Sequence, residues 1–410
     1  MSQENRVSVY RLNTKKPHIL SLMLLSAFAV MGAIVMMPAL PEISVFFQKS
    51  IGTTQLTATS FLLGYSIGQL IYGPLANRYG RKKALYTGII IATLGSIFSI
   101  LSAPIESFSV LILGRFLEAI GSSAGLAISF TIITDYYFEN DTRKIMGLLM
   151  LAFAIVPGIA VAAGGILVQY MGWHACFYFL LAYGLLLIYP TYHLPETLSA
   201  VDLHATRFKK IVKNYKNKFL NKKLIGFAII TGFSSACVYV FGAEGPFIGI
   251  HLLQIPPALY GLLGLLPYIG TLIGSLIGVR LSLYNPMSVI KFAYTIECVA
   301  TLCMLVLFLL KVVNLWTLLI PMGIFCVGHP IIAATCGSMS MQQDPDKSNT
   351  SAVLNFVAMG MPVLMTLLLS ILHVSSAWVM PVIFMIGLFG MLFSYVSLIG
   401  CKTRFIVAQN

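Results

Sequence analysis

Four ionisable side chains, Arg115, Glu118, Glu244 and Glu297, stand inside long apolar runs, and Asp135 stands at the edge of one. A charge at the centre of a bilayer costs about 2.5–3.5 kcal/mol on insertion scales, so each is a functional candidate. Arg115, Glu118, Ser122, Gly125 and Ser129 follow steps of three, four, three and four. On a helix they form one polar or small stripe, which should face water or another polar surface. A carboxylate three residues from a guanidinium can switch between a paired and a protonated form, which is what proton coupling needs. The same spacing suits a permanent structural ion pair equally well. A second stripe, Ser234, Cys237, Phe241 and Glu244, puts its acid about 20 residues after the start of its run, toward the far end. There Glu244 receives a cationic substrate, releases a proton or sits at the membrane interface. Gly328-His329-Pro330 interrupts a further run. Pro330 lacks an N–H and frees the carbonyl of Cys326, and broken helices are tolerated where they line a cavity. His329 either exchanges protons with the coupling site or stays a neutral, locally hydrogen-bonded ring. Asn355 is one more candidate polar contact.

The elements that must hold these groups follow from composition. Of 410 residues, 58% are hydrophobic and only 10% charged, far from the roughly 25% charged of soluble domains. Apolar runs near 20 residues long recur from end to end, each able to cross a bilayer as a helix. They cover residues 19–40, 56–76, 84–103, 108–134, 145–168 and 174–194, then 224–248, 257–281, 287–310, 315–337, 350–372 and 377–400. An all-α membrane protein of twelve transmembrane helices in two six-helix halves is expected. Residues 1–194 form the N-terminal half, 195–222 a linker and 223–410 the C-terminal half. The first run is long and has no small-x-small cleavage site, so it reads as a span and not a signal peptide.

Charge placement orients the chain. All but three of the 26 Lys and Arg residues fall in the segments that lie inside if the N-terminus is inside; the exceptions are Lys49, Lys311 and the intramembrane Arg115. This is the positive-inside pattern, with both termini cytoplasmic in a multi-pass protein of the cell inner membrane. The net charge of +13 therefore reads as topology and attraction to anionic membrane lipids, not nucleic-acid binding. In the linker, Phe208, Ile211, Val212, Tyr215 and Phe219 recur at three- and four-residue steps between basic residues. This suits an amphipathic helix lying on the inner membrane surface, or a solvated linker with incidental periodicity. Gly270, Gly274 and Gly278, and Ala154, Gly158, Ala162 and Gly165, are small faces for close helix packing, suited to the seam between halves. The seven cysteines have no Cys-x-x-Cys pair and read as buried thiols. No metal-ligand cluster, P-loop or strand-bound glycine fingerprint is present, so no cofactor, metal or enzymatic activity is expected.

The turn between the second and third runs is the most specific feature. In "GQLIYGPLANRYGRKKAL" (68–85), Gly73 is followed by four residues and then Arg78, Gly80, Arg81 and Lys82. A short basic turn can bind lipid phosphates, cap helix C-termini and pair with neighbouring acids. This stretch resembles the signature loop of the major facilitator superfamily. More narrowly, it is similar to the bicyclomycin/chloramphenicol-resistance (Bcr/CflA-type) branch of drug–proton antiporters. So are "MPALPEI" (37–43), "GRFLEAIGSSAG" (114–125), "GWHACF" (172–177), "LPETL" (194–198) and, in the C-terminal half, only "AEGPFI" (243–248).

The resemblance implies that Arg81 locks a cytoplasmic gate against Asp135, unless these cations serve topology alone. Asn77 replaces the loop's usual Asp; it can still hydrogen-bond a helix N-terminus but brings no charge. Arg115 matches the family's membrane-embedded arginine, on a helix that lines the central cavity, and Glu118 stands where that branch usually has Gln. Glu297 lies on a helix that supports from outside and is expected to partner a neighbouring polar group. Three departures stand out: Ile34 occupies the place of an acid before "PALP", Phe130 that of a second arginine and Thr134 that of another basic residue. Any proton site should then have moved to Glu118. Met31, Met36, Ser122, Tyr239, Phe241, Glu244 and His329 are the expected cavity residues. The function implied is alternating-access, proton-driven export of small amphipathic compounds by a monomer. Its rivals are a dedicated exporter or importer of one metabolite, such as a siderophore or nutrient, and a non-transporting sensor or scaffold.

Overall fold

The computed structural model describes residues 16–137, 139–198, 200–344, 346–372 and 376–400. Among the described residues the chain is helical and contains no strand. The N-terminal half comprises α1 (Ile19–Ile34), a short 3-10 turn and α2 (Leu40–Phe46), then α3 (Ile51–Tyr79), α4 (Arg81–Leu101), α5 (Phe108–Tyr136), α6 (Glu139–Met171), α7 (His174–Leu186) and α8 (Ile188–His193). A separate helix, α9 (Phe208–Phe219), precedes the second half. That half comprises α10 (Lys222–Pro246) with a π turn at Phe247–Leu252, α11 (Pro257–Leu263), α12 (Leu265–Leu281), α13 (Pro286–Leu309), α14 (Leu315–Met341), α15 (Lys347–Leu372) and α16 (Val379–Gly400).

Eleven of these segments are long and apolar enough to cross a membrane. The twelfth expected span lies in α3, which has 29 residues but is punctuated by polar ones. Gln55, Thr57, Thr59, Ser66 and Gln69 are all buried, so this helix turns its polar groups inward and keeps its length for the bilayer. The first and eighth spans are each broken, at Met37-Pro38 and at Gly264.

Glycine contacts draw α5 into the middle of the N-terminal half. A Cβ at Gly95 would lie 2.3 Å from the Glu118 nitrogen, one at Gly121 2.2 Å from the Ala92 nitrogen, and one at Gly125 2.0 Å from the Leu25 carbonyl oxygen. Backbones can approach this closely only where side chains are missing. The polar stripe on α5 therefore faces the backbone of α1 and not open water: Ser129 donates to the Leu22 carbonyl at 3.3 Å.

The two small faces expected at the seam separate. Gly158 and Gly165 of α6 do meet the C-terminal half, at Leu265, Pro257 and Gly261. Gly270 and Gly274 instead pack on the α14 backbone at Gly323 and Val327, inside one half.

Helix α9 packs one face on the bundle. Tyr215 is buried and donates to the Leu70 carbonyl at 3.0 Å, Lys218 pairs with Asp344 at 2.7 Å, and Phe219 meets Phe356 edge-on. Ile211, Tyr215 and Phe219 rest on the bundle, while Val212, Lys209, Lys213 and Lys216 are exposed. The basic tail residues Arg6, Arg11, Lys15, Lys402 and Arg404 lie outside the described residues, as do the side chains of Arg143 and Lys144.

Candidate functional site

A cavity of about 220 Å3 lies between the halves. Its walls include Ala33, Ile34, Met37, Phe61 and Tyr65 on one side and Tyr239, Phe241, Tyr260, Tyr268 and His329 on the other. Ser235, Thr271 and Asn355 add hydrogen-bonding groups. Among the described residues, no carboxylate, lysine or arginine lines it. Of the expected cavity residues, Tyr239, Phe241 and His329 are in the wall. Met31 and Met36 pack into the neighbouring core, with Met37 taking the lining position. Ser122 turns to its own helix, donating to Ala119 at 3.3 Å.

The Arg115–Glu118 pair lies just behind this wall. Both side chains are fully buried; Arg115 Nη1 donates to Glu118 Oε2 at 2.8 Å and Nη2 to the Gly32 carbonyl at 2.7 Å. The guanidinium carbon sits 4.3 Å above the Phe61 ring and 5.9 Å from that of Phe177. Glu118 Oε1 and Arg115 Nε have no partner among the described residues. Phe61 itself lines the cavity, so a single ring separates the ion pair from it. Gly32 brings these groups together: a Cβ there would lie 3.0 Å from Phe61 and 3.2 Å from Glu118 Oε1. Phe61 escapes sequence reasoning, since one phenylalanine in an apolar run has no distinguishing mark.

A second polar cluster occupies the C-terminal half. Ser234 Oγ donates to Glu297 Oε1 at 2.5 Å and lies 2.9 Å from His329 Nδ1. Glu297 thus has a polar partner, on α10. Toward the end of α3 remote from the basic turn, Gln55 donates to Glu244, joining the halves; Thr59 and Thr366 add a 3.0 Å hydrogen bond further along. Glu244 is buried in this contact and does not line the cavity.

At the other end, Arg81 donates from Nε to Asp135 Oδ2 at 3.0 Å and from Nη1 to the Ala76 carbonyl at 2.9 Å and Asn77 Oδ1 at 2.8 Å. Asn77 therefore serves the arginine and not a helix end. The start of α4 is held by Glu196, whose oxygens accept from the Arg81 and Lys82 amides at 2.9 and 3.1 Å. A carboxylate there complements the helix dipole. Glu196 belongs to the "LPETL" segment, and only tertiary structure brings it to the loop. Gly80 makes the turn, with φ +98°, and a Cβ would lie 2.6 Å from Glu196 Oε2. Arg78 donates to Thr206, and Lys82 to the Tyr192 carbonyl at 2.8 Å. A Cβ at Gly73 would meet nothing within 4 Å, so its packing gives no reason for a glycine.

Two six-helix halves around a central cavity, with buried charge beside it, are the architecture of a membrane transporter. The family model of the Major Facilitator Superfamily matches residues 22–354, and the chain belongs to that superfamily. It is 24% identical over 335 residues to the bicyclomycin resistance protein homolog of Haemophilus influenzae, covering 81% of this chain and 83% of that protein. It is 26% identical over 338 residues to multidrug resistance protein D of Escherichia coli, covering 82% and 84%. The partially occluded inward-open xylose transporter XylE of E. coli superposes with a TM-score of 0.73 at 12% identity, over 92% of this chain and 96% of that one. At that identity the likeness is one of fold.

Proposed function

We propose that this chain exports small amphipathic compounds across the inner membrane in exchange for protons, with Glu118 as the proton carrier and both termini cytoplasmic. The observation that carries this reading is the half-satisfied Arg115–Glu118 pair, fully buried and one phenyl ring from the cavity. A pair built only for stability would have its remaining donors and acceptors satisfied, because a buried unpaired polar group costs about 1–3 kcal/mol. The aromatic wall with scattered hydroxyl, amide and imidazole groups favours a largely apolar, uncharged cargo. The printed names of the relatives point to antibiotics and other drugs. The Arg81–Asp135 pair and Glu196 would close the cytoplasmic end in one state and part in the other.

A dedicated metabolite carrier is the second reading. It is favoured by Ile34, which puts an apolar side chain in the cavity wall where the family resemblance leads one to expect an acid. Acidified inverted vesicles separate the two. Lipophilic cations, neutral antibiotics and siderophore-like chelators are added in turn while the pH gradient is followed. Collapse of the gradient with a neutral amphipath in wild type, and none in Glu118→Gln, supports the proposal. A flat trace across the panel, with the protein verified in the membrane, turns the reading to a dedicated carrier. Proton-linked flux retained by Glu118→Gln removes Glu118 as the carrier.

A further inference from the structure

We propose that Glu297 is a second proton-binding site, in the half opposite Glu118, loaded from the cavity through His329 and Ser234. The inference goes beyond the Glu118 reading and does not depend on it.

Three helices converge to make the site. Glu297 of α13 is fully buried, and its Oε1 takes the Ser234 hydroxyl of α10 at 2.5 Å. His329 of α14 lies on the other side of that hydroxyl at 2.9 Å and forms part of the cavity wall. The imidazole, the hydroxyl and the carboxyl thus form an unbroken hydrogen-bonded chain from the cavity into the helix bundle. Gly328 lets the carboxyl reach α14: a Cβ there would lie 2.8 Å from Glu297 Cγ.

The cluster is polar and left open. Glu297 Oε2 has no hydrogen-bond partner among the described residues, and neither has Thr301 Oγ1, one turn along the same helix. The ionisable groups facing Glu297 are His329, Cys326 and Cys336 from α14, Cys237 from α10, and Tyr294 and Cys298 on α13. Tyr395 of α16 is engaged elsewhere, donating to the Met287 carbonyl. None of these is a lysine or arginine, and among the described residues no ion pair includes Glu297. An enclosed carboxylate without a counter-charge is strongly disfavoured, so the enclosed form of the site is the neutral acid.

Loading is a two-bond shift. A proton taken by His329 from the cavity leaves Nδ1 for the Ser234 oxygen, while the Ser234 proton passes to Glu297. One N–H and one O–H bond break, two O–H bonds form, and the serine ends as it began. Release runs the same path backward, with no co-reactant.

The test is hydrogen–deuterium exchange followed by infrared spectroscopy on the purified full chain in lipid, where a neutral carboxyl has its own C=O stretch. Glu297→Gln should remove one such band that Glu118→Gln leaves in place. Ser234→Ala and His329→Phe keep the carboxyl, so they should keep the band but slow its exchange by roughly tenfold or more, the rate equivalent of one lost hydrogen bond. A Glu297→Gln spectrum identical to wild type overturns the site. Exchange as fast as wild type in both relay variants overturns the path. If Glu297→Gln fails to fold, isotope editing of glutamate with the two relay variants still decides the path. Loss of transport in Glu118→Gln with the Glu297 band and its exchange intact separates the two proposals.

Discussion

Gly261→Val tests whether the halves part where α6 meets α11. At present Gly165 and Gly261 face each other there. A Cβ on Gly261 would lie 2.6 Å from the Val161 carbonyl oxygen, 3.1 Å from the Gly165 Cα and 3.3 Å from the Ala162 Cα. These are backbone atoms of a continuous helix, which cannot turn aside as a flexible side chain would. Overpacking of this kind costs about 1–3 kcal/mol. If the seam exists in this conformation and opens in the other, the whole cost falls on one state. The equilibrium then shifts by about 5- to 150-fold toward the state with the seam open. Gly242 supplies the reporter: a Cβ there meets only the flexible Met37 side chain, at 3.7 Å, and the residue lines the cavity. In a background without native cysteines, Gly242→Cys should react with a membrane-impermeant maleimide faster by that factor when Gly261→Val is added, from the side opposite the basic turn. Gly337→Val is the control, since a Cβ at Gly337 meets nothing within 4 Å. An unchanged labelling rate in a folded Gly261→Val protein would refute alternating access through this seam.

Other perturbations follow from the same geometry. Gly80→Ala should lower the melting temperature of the detergent-solubilised protein more than Glu196→Gln. The first combines a φ of +98° with a 2.6 Å clash, while the second keeps the shape but loses the charge at the start of α4 and one of its two accepting oxygens, about 1–2 kcal/mol. Gln55→Leu should slow transport more than Glu244→Gln, because the leucine leaves a buried carboxyl unpartnered, at about 1–3 kcal/mol, whereas the glutamine can still accept from Gln55. Docking of α9 should be indifferent to pH across the neutral range. The hydrogen bond from Lys218 holds the Asp344 carboxyl below its ordinary value of 3.8. Its contribution is therefore complete above that value and is lost only as the pH falls further. Crosslinking between α9 and α15 should persist through pH 5 and weaken at all pH values in Lys218→Met; a loss between pH 7 and 5 in wild type would show that another group controls docking.

What the sequence discloses depends on the range of the interaction. The spans announce themselves by apolar length, and the one that does so least, α3, is the one whose polar groups turn inward to face the other half. The Arg115–Glu118 pair is legible because its members are three residues apart on one helix. The Ser234–Glu297–His329 cluster is not: its hydrogen bonds cross 63 and 95 positions, and no local pattern encodes which faces of α10, α13 and α14 meet. The face of a stripe is equally hidden. Polarity along α5 suggests water or another polar surface, and the stripe packs on the α1 backbone, where Gly125 abuts the Leu25 carbonyl and Ser129 donates to that of Leu22.

The departures from the family pattern become coherent as charge accounting around Arg115. A guanidinium stays charged in proteins, so a dry site that holds one needs an anion nearby. The first span offers none at Ile34; what it offers is the Gly32 carbonyl, a dipole without charge. Glu118, standing where the resembling branch usually has Gln, restores neutrality from the same helix as the arginine. Protonating it leaves Arg115 without a counter-charge, held by that carbonyl and the Phe61 and Phe177 rings, one ring away from the cavity. On the proposed mechanism, a proton arriving at Glu118 therefore drives the guanidinium toward water or toward a polar group of the cargo, and Phe61 is what must move to let it. The basic turn also combines a neutral residue with a carboxylate from elsewhere. Asn77 brings no charge, and Glu196, from a segment more than a hundred residues later, supplies the carboxylate at the start of α4. In both places a neutral residue stands where the resemblance leads one to expect an acid, and a carboxylate from elsewhere in the chain lies beside the cation.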